Sequence, residues 1–129
     1  MDPGVAADPA YVLLLESDEV LFARVGQALY SAGFVPLLAA DARDAFDYMA
    51  GASTPVLVIV DLDSPGLEPG DLLARFRADS RWAGVPVIVT GFSIPGHLQA
   101  DAVLPKPFDA QALADLGREK VARSAAARG

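Results

Sequence analysis

Cysteine is absent from the 129 residues, which excludes disulfides and thiolate metal sites and fits a reducing compartment. Long apolar runs are missing too: the longest uninterrupted ones reach five or six residues, far short of the roughly 20 that a membrane span requires. Basic residues are scarce, 10 against 17 acidic ones, and the formal net charge of −7 argues against nonspecific binding to nucleic-acid phosphates. Met1-Asp2-Pro3-Gly4 lacks the basic residues and apolar core of a signal peptide. No partner among nucleic acids or membranes is expected, and a cytoplasmic location is. No internal repeat is visible. What is present is apolar material, 53% of the residues, enough for one compact domain and not obviously for two.

The chain is organised around Val56-Leu57-Val58-Ile59-Val60-Asp61-Leu62-Asp63-Ser64-Pro65-Gly66. Five branched apolar residues in a row predict a short strand buried on both faces, the central strand of a parallel sheet covered by helices. Asp61 falls at its carboxyl end, the edge of an open α/β sheet where loops diverge and ligands bind. Pro65-Gly66 predicts a turn directly afterwards, so the carboxylates of Asp61 and Asp63 sit at the rim of a rigid scaffold. A plainer reading has Asp61 merely ending a strand and Asp63 opening a turn.

In chain order, residues 1–9 read as a loose tail, 10–122 as the domain and 123–129 as a frayed end. Tyr11 to Leu15 predicts the first strand, followed by the acidic cluster Glu16-Ser17-Asp18-Glu19. Asp18 is a good N-cap for a helix with apolar positions Leu21, Val25, Ala28, Leu29 and Ala32, stopped by Gly33. Phe34 to Leu38 is a second strand, which Pro36 assigns to an edge. Asp41 caps a second helix carrying Ala45, Phe46 and Met49 and ending near Gly51. A third helix spans roughly Pro69 to Ser80, with Leu72, Leu73 and Phe76 inward. Val85 to Thr90 is the fourth strand and Val103-Leu104 belongs to a fifth. Asp109 caps a last helix with Leu113, Leu116 and Val121, in which Gly117 costs about 1 kcal/mol relative to alanine.

Strands alternating with helices make the class α/β, with a doubly wound parallel sheet and right-handed crossovers. All strand ends then share one edge, bringing together Glu16 to Glu19, Asp61, Thr90 and Lys106. Acid, acid, hydroxyl and ammonium suit phosphoryl transfer to a carboxylate. Attacking group and phosphoryl group are both anionic, so the transition state needs a cation, an ammonium and a hydroxyl donor. Mg²⁺ takes one or two protein carboxylates, and Glu16 and Asp61 can supply them.

In these motifs the chain resembles the receiver domains of two-component response regulators over roughly residues 10–120. The resemblance is carried by Glu16-Ser17-Asp18, Val60-Asp61-Leu62-Asp63-Ser64-Pro65-Gly66, Pro86-Val87-Ile88-Val89-Thr90-Gly91 and Leu104-Pro105-Lys106-Pro107-Phe108, the last being the most specific. It implies a five-stranded sheet in the order 2-1-3-4-5. It also implies that Asp61 accepts phosphate from a histidine kinase or phosphotransfer protein, and that the Asp63 main-chain carbonyl helps hold Mg²⁺. Thr90 would hydrogen-bond the phosphoryl group, Lys106 would pair with it, and Lys106-Pro107 would be a cis peptide. A downstream protein of unknown identity and a second copy of the chain are the further partners implied.

Three positions depart from that pattern. Ser17 stands where the second acid is usual, so metal binding rests on Glu16 reaching the ion directly or on Asp18 turning inward. Val103 stands where the switch aromatic is usual, which removes coupling by ring rotation. Gly91 to Asp101 is too short, and too interrupted by Pro95-Gly96, for a full crossover helix, so helix four is expected to be missing or reduced to about a turn. The surface near Phe92, Ile94, His97 and Leu98 is then either covered by the last helix or used by a partner. His97 itself reads as ordinary surface and Trp82 as an apolar anchor. Two alternatives to a phosphorylated switch stand beside it. One is a pseudo-receiver working as a phosphorylation-independent interaction module. The other is an enzyme of the haloacid dehalogenase type, which the order Asp61-Leu62-Asp63, Thr90, Lys106 imitates. That enzyme reading is disfavoured because no acidic motif follows the lysine and two strand-helix units precede the nucleophile; the chain is expected not to be an enzyme.

Overall fold

The computed structural model describes residues 9–51, 53–64, 66 and 68–128. Most of the expected N-terminal tail, Pro65 of the expected turn and Gly129 lie outside them. Five strands form one sheet: β1 (Tyr11–Leu15), β2 (Val35–Ala39), β3 (Leu57–Asp61), β4 (Val87–Gly91) and β5 (Ala102–Pro105). Their order is β2-β1-β3-β4-β5 and every pairing is parallel. Pro36 therefore lies on an edge strand, where its missing N–H is tolerated. The helices are α1 (Glu19–Ser31), α2 (Ala42–Ala50), α3 (Pro69–Ala78) and α4 (Ala110–Arg128). None of them is long and apolar enough to cross a membrane.

Alternation along each strand splits the core into two layers. Leu13, Leu15, Val58, Val60, Val87 and Val89 face Ala45 and Met49 of α2, Leu72, Leu73 and Phe76 of α3, and Trp82. Val12, Leu14, Leu57, Ile59 and Ile88 face Val25 and Leu29 of α1 and Leu113 and Ala114 of α4. Trp82 is buried and stacks on Phe76 with centroids 5.4 Å apart, an apolar anchor as its position after the third helix predicts. Strand boundaries shift by a residue or two from the expected ones, and α3 ends at Ala78 rather than Ser80.

Two differences are larger. The last helix runs on through residues 123–128, where the sequence predicts a frayed end. Alanines at 122 and 125–127 carry it, with an Arg123–Glu119 pair one turn apart at 3.2 Å. Gly117 lies where an added Cβ would meet Leu57 Cδ2 at 2.8 Å, so the glycine lets α4 approach β3. The second difference is the cover of the β4-to-β5 connection. No helix forms between Phe92 and Asp101, as its length dictates. Ile94, Leu98 and Ala100 pack instead on the α2/α3 layer, whereas α4 packs with α1 on the opposite face. Of the two alternatives for this surface, cover by the last helix is corrected; Phe92 and His97 stay exposed.

Arg77 fastens the far end of this connection. Its guanidinium donates to the carbonyls of Ala83 (3.2 Å), Val85 (3.1 Å) and Gln99 (3.4 Å) and pairs with Asp101 at 3.0 Å. Asp101 also accepts the Val87 N–H at 2.7 Å. A lone surface ion pair contributes about 1 kcal/mol or less, but this planar fork ties α3, β4 and the entry to β5 together.

Candidate functional site

β1, β3 and β4 deliver Glu16, Asp61 and Thr90 to the carboxyl edge of the sheet, and Lys106 follows β5. The register makes Asp61 and Thr90 direct neighbours across β3 and β4. Glu16, Asp61, Ser64 and Thr90 are the buried polar residues among those described. Polar groups are buried in a fold of this size only when partners compensate them, so the grouping needs a physical account.

Asp61 has one. Its Oδ1 lies 2.9 Å from Lys106 Nζ and accepts the Asp63 N–H at 3.0 Å. Its Oδ2 accepts the Ser64 hydroxyl at 3.1 Å. Burial pushes the Asp61 carboxyl up, but hydrogen bonding with Glu16, Lys106 and Asp63 and the lysine charge outweigh it, so the group is held below its ordinary value. Burial likewise pulls the Lys106 ammonium down, and the carboxylates of Asp61, Glu16 and Asp63 more than reverse it. The pair is ionised at neutral pH. The peptide between Lys106 and Pro107 is cis, as the resemblance implies.

Glu16 differs. Only 3% exposed, it is pushed up to about 7 by burial first and by its contact with Asp61 second, against the Asp18 N–H and the Lys106 charge. Its Oε2 accepts that N–H at 3.1 Å. Asp18 itself does not turn inward. Its Oδ1 accepts the N–H groups of Val20 (2.9 Å) and Leu21 (3.0 Å), capping α1 at the exposed surface, and Ser17 is exposed beside it. Asp18 is accordingly not brought to the site. Among the described residues no three His, Cys, Asp or Glu side chains group as a metal centre. Two adjoining buried carboxylates share one ammonium with Asp63, and Glu16 holds a proton near neutrality because of its burial first and its contact with Asp61 second. Oxygen donors of this kind suit a hard divalent cation, for which Glu16 and Asp61 would be the anionic ligands.

One participant escaped the sequence reading. Ser64 lies three residues after Asp61, and the Asp-x-x-Ser spacing across a turn is the signal that finds it. The Asp63 side chain, not only its carbonyl, reaches the site: Oδ2 lies 3.3 Å from Lys106 Nζ and accepts the Phe92 N–H at 3.2 Å. Phe92 is 73% exposed, with its ring centroid 5.6 Å from Lys106 Nζ. Val103, at the position usual for an aromatic, is half-exposed, and His97 is exposed.

No protein-family model matches the chain. A curated relative, Response regulator Rre1 of Synechocystis, is 34% identical over 93% of the chain, which spans 55% of that protein's length. The chemotaxis response regulator CheY4 of Vibrio cholerae superposes with a TM-score of 0.77 at 21% identity, covering 88% of this chain and 99% of that one. The receiver domain of sensor histidine kinase PA1611 from Pseudomonas aeruginosa, solved with magnesium in its active-site cleft, gives 0.77 at 20% identity over 89% and 99%. The structural matches share the fold; the relative at 34% identity shares the sequence as well. With Glu16, Asp61, Thr90 and Lys106 at the ends of their strands on one edge, the chain has the fold of receiver domains and is similar in sequence to a response regulator.

Proposed function

We propose that Asp61 accepts a phosphoryl group from a histidine kinase or phosphotransfer protein, and that the acyl phosphate changes what the domain binds. The observation that carries this is the ionised Asp61 carboxylate held 2.9 Å from a largely buried lysine at the sheet edge. An Asp61 carboxylate oxygen attacks phosphorus, the bond from phosphorus to the donor's imidazole nitrogen breaks, and the electron pair stays on that nitrogen. Keeping Asp61 deprotonated keeps the nucleophile available, and the Asp63 N–H and Ser64 hydroxyl fix its orientation. Lys106 offsets charge that the arriving phosphoryl oxygens add, and Thr90, beside Asp61 in register, is the hydroxyl donor to them. Mg²⁺, held by Glu16, Asp61 and the Asp63 carbonyl, would neutralise charge shared between the carboxylates and the phosphoryl group. The domain acts as an acceptor and switch in the cytoplasm, not as an enzyme turning over a substrate.

Ser17 and the outward-facing Asp18 favour a second reading, a pseudo-receiver whose weak metal binding leaves it to act by protein contact alone. Intact mass after incubation with acetyl phosphate and Mg²⁺ separates the two. A phosphoryl adduct on the wild type that Asp61→Asn lacks supports the acceptor reading. No adduct on folded wild type supports the pseudo-receiver.

A further inference from the structure

We propose that the Asp63 carboxylate is a positioning residue that shares Lys106 with Asp61 and transmits the charge state of the site to the helix-less connection after β4. The inference rests on Asp61 being the phosphoacceptor and names how that event leaves the site.

The geometry is a chain of three charges ending on the backbone. Lys106 Nζ lies 2.9 Å from Asp61 and 3.3 Å from Asp63, and the same Asp63 oxygen accepts the N–H of Phe92, the first residue after β4. One ammonium thus serves two carboxylates. Converting Asp61 to an acyl phosphate places on the order of two negative charges on oxygens within reach of that ammonium. Lys106 is drawn to the phosphoryl group, and Asp63 loses its cation while facing more negative charge. Its side chain is 37% exposed, so turning into water carries little penalty. Phe92 then loses its acceptor.

The segment beyond Phe92 determines the consequence. The far end of the connection is fixed: the Asp101 N–H donates to the Val87 carbonyl at 2.8 Å, and its carboxylate holds Val87 N–H and Arg77. Between these ends no helix resists movement, and Phe92 is exposed. Release at Asp63 therefore frees the start of the segment alone and moves its exposed ring. A charge-driven release of this kind needs no aromatic at Val103, where ring rotation has nothing to rotate.

Hydrogen exchange at the Phe92 amide, resolved by NMR, tests this in wild type, Asp63→Ala, Asp63→Asn and Lys106→Ala, with and without acetyl phosphate and Mg²⁺. The adduct is measured by intact mass on the same samples. Without phosphodonor, Asp63→Ala and Lys106→Ala should speed Phe92 exchange about tenfold, the loss of one hydrogen bond, and Asp63→Asn, which keeps an acceptor without the charge, should not. Phosphorylation should raise wild-type exchange to the Asp63→Ala level and leave Asp63→Ala and Asp63→Asn unchanged. Equal exchange in wild type and Asp63→Ala, or a phosphorylation response undiminished in Asp63→Ala, overturns the proposal. Absence of adduct on wild type instead overturns the acceptor reading. The Lys106→Ala arm then decides the link between Lys106 and Asp63: faster Phe92 exchange upholds it, unchanged exchange overturns it.

Discussion

The two halves of the site are built differently. On the β3, β4 and β5 side, every charged group near Asp61 has a counterpart: a lysine at 2.9 Å, a backbone N–H and a hydroxyl. On the β1 side, Glu16 has the Asp18 N–H, a neighbouring carboxylate and the more distant Lys106 charge, which do not offset its burial, and it retains a proton near neutrality. The acceptor half is complete in the isolated chain, whereas the β1 half is short of one charge. Glu16 and Asp61 are equally buried, and burial raises both; the partners around Asp61 reverse it and those around Glu16 do not.

The largest expected effect comes from breaking the complete half. Lys106→Met leaves the buried Asp61 carboxylate without its cation and should lower stability by about 3 kcal/mol in urea unfolding at pH 7, with adduct formation lost alongside. A loss below 1 kcal/mol would mean that the lysine is not a structural partner of Asp61.

The incomplete half makes a pH prediction. The folded-state value of Glu16, about 7, lies above its ordinary 4.5, so the folded protein binds more protons between those values and stability falls as pH rises through them. At about 1.4 kcal/mol per unit, the loss between pH 4.5 and 8 is on the order of 3 kcal/mol. Glu16→Gln should flatten the profile from pH 5 to 8 in thermal unfolding, and millimolar Mg²⁺ should raise Tm at pH 8 more than at pH 5. An unchanged slope in Glu16→Gln would place the titrating group elsewhere.

Ser17→Asp sharpens the contrast by restoring an acid where the family pattern has one. Mg²⁺ affinity by calorimetry should rise about tenfold, the equivalent of 1.4 kcal/mol from one added carboxylate. An unchanged affinity would show that position 17, exposed beside the site, does not reach the ion. Asp18→Ala gives the smallest effect: loss of the α1 cap, about 1 kcal/mol by denaturation, with Mg²⁺ affinity unaltered. A fall in affinity would return Asp18 to the ligand set.

Legibility tracked the range of the interactions. The strands and their helices were readable because Val56 to Val60 and the apolar positions of α1 and α2 carry local periodicity. Asp61, Thr90 and Lys106 were readable as a group because a parallel sheet places all its strand ends on one edge. The missing fourth helix could be had by counting residues between Gly91 and Asp101. By contrast, Arg77 and Asp101 meet across 24 positions, and no local pattern announces that the connection is fastened at its far end. Asp18 reads in the sequence as a good cap and, if turned inward, as a ligand, and the direction of its carboxylate makes it the cap. Gly117 reads in the sequence only as a cost to the last helix, because its value lies in the close approach to Leu57, a contact 60 positions away.

The hydrogen bond from the Asp18 N–H to Glu16 carries a mechanical implication. Asp18 holds the first turn of α1 with its side chain while its backbone rests on the carboxylate that adjoins Asp61. Asp61, Glu16, the cap and the helix form one continuous linkage. Under the proposed phosphorylation, the charge added at Asp61 would reach the end of α1 by this route, on the opposite layer of the sheet from the connection after β4.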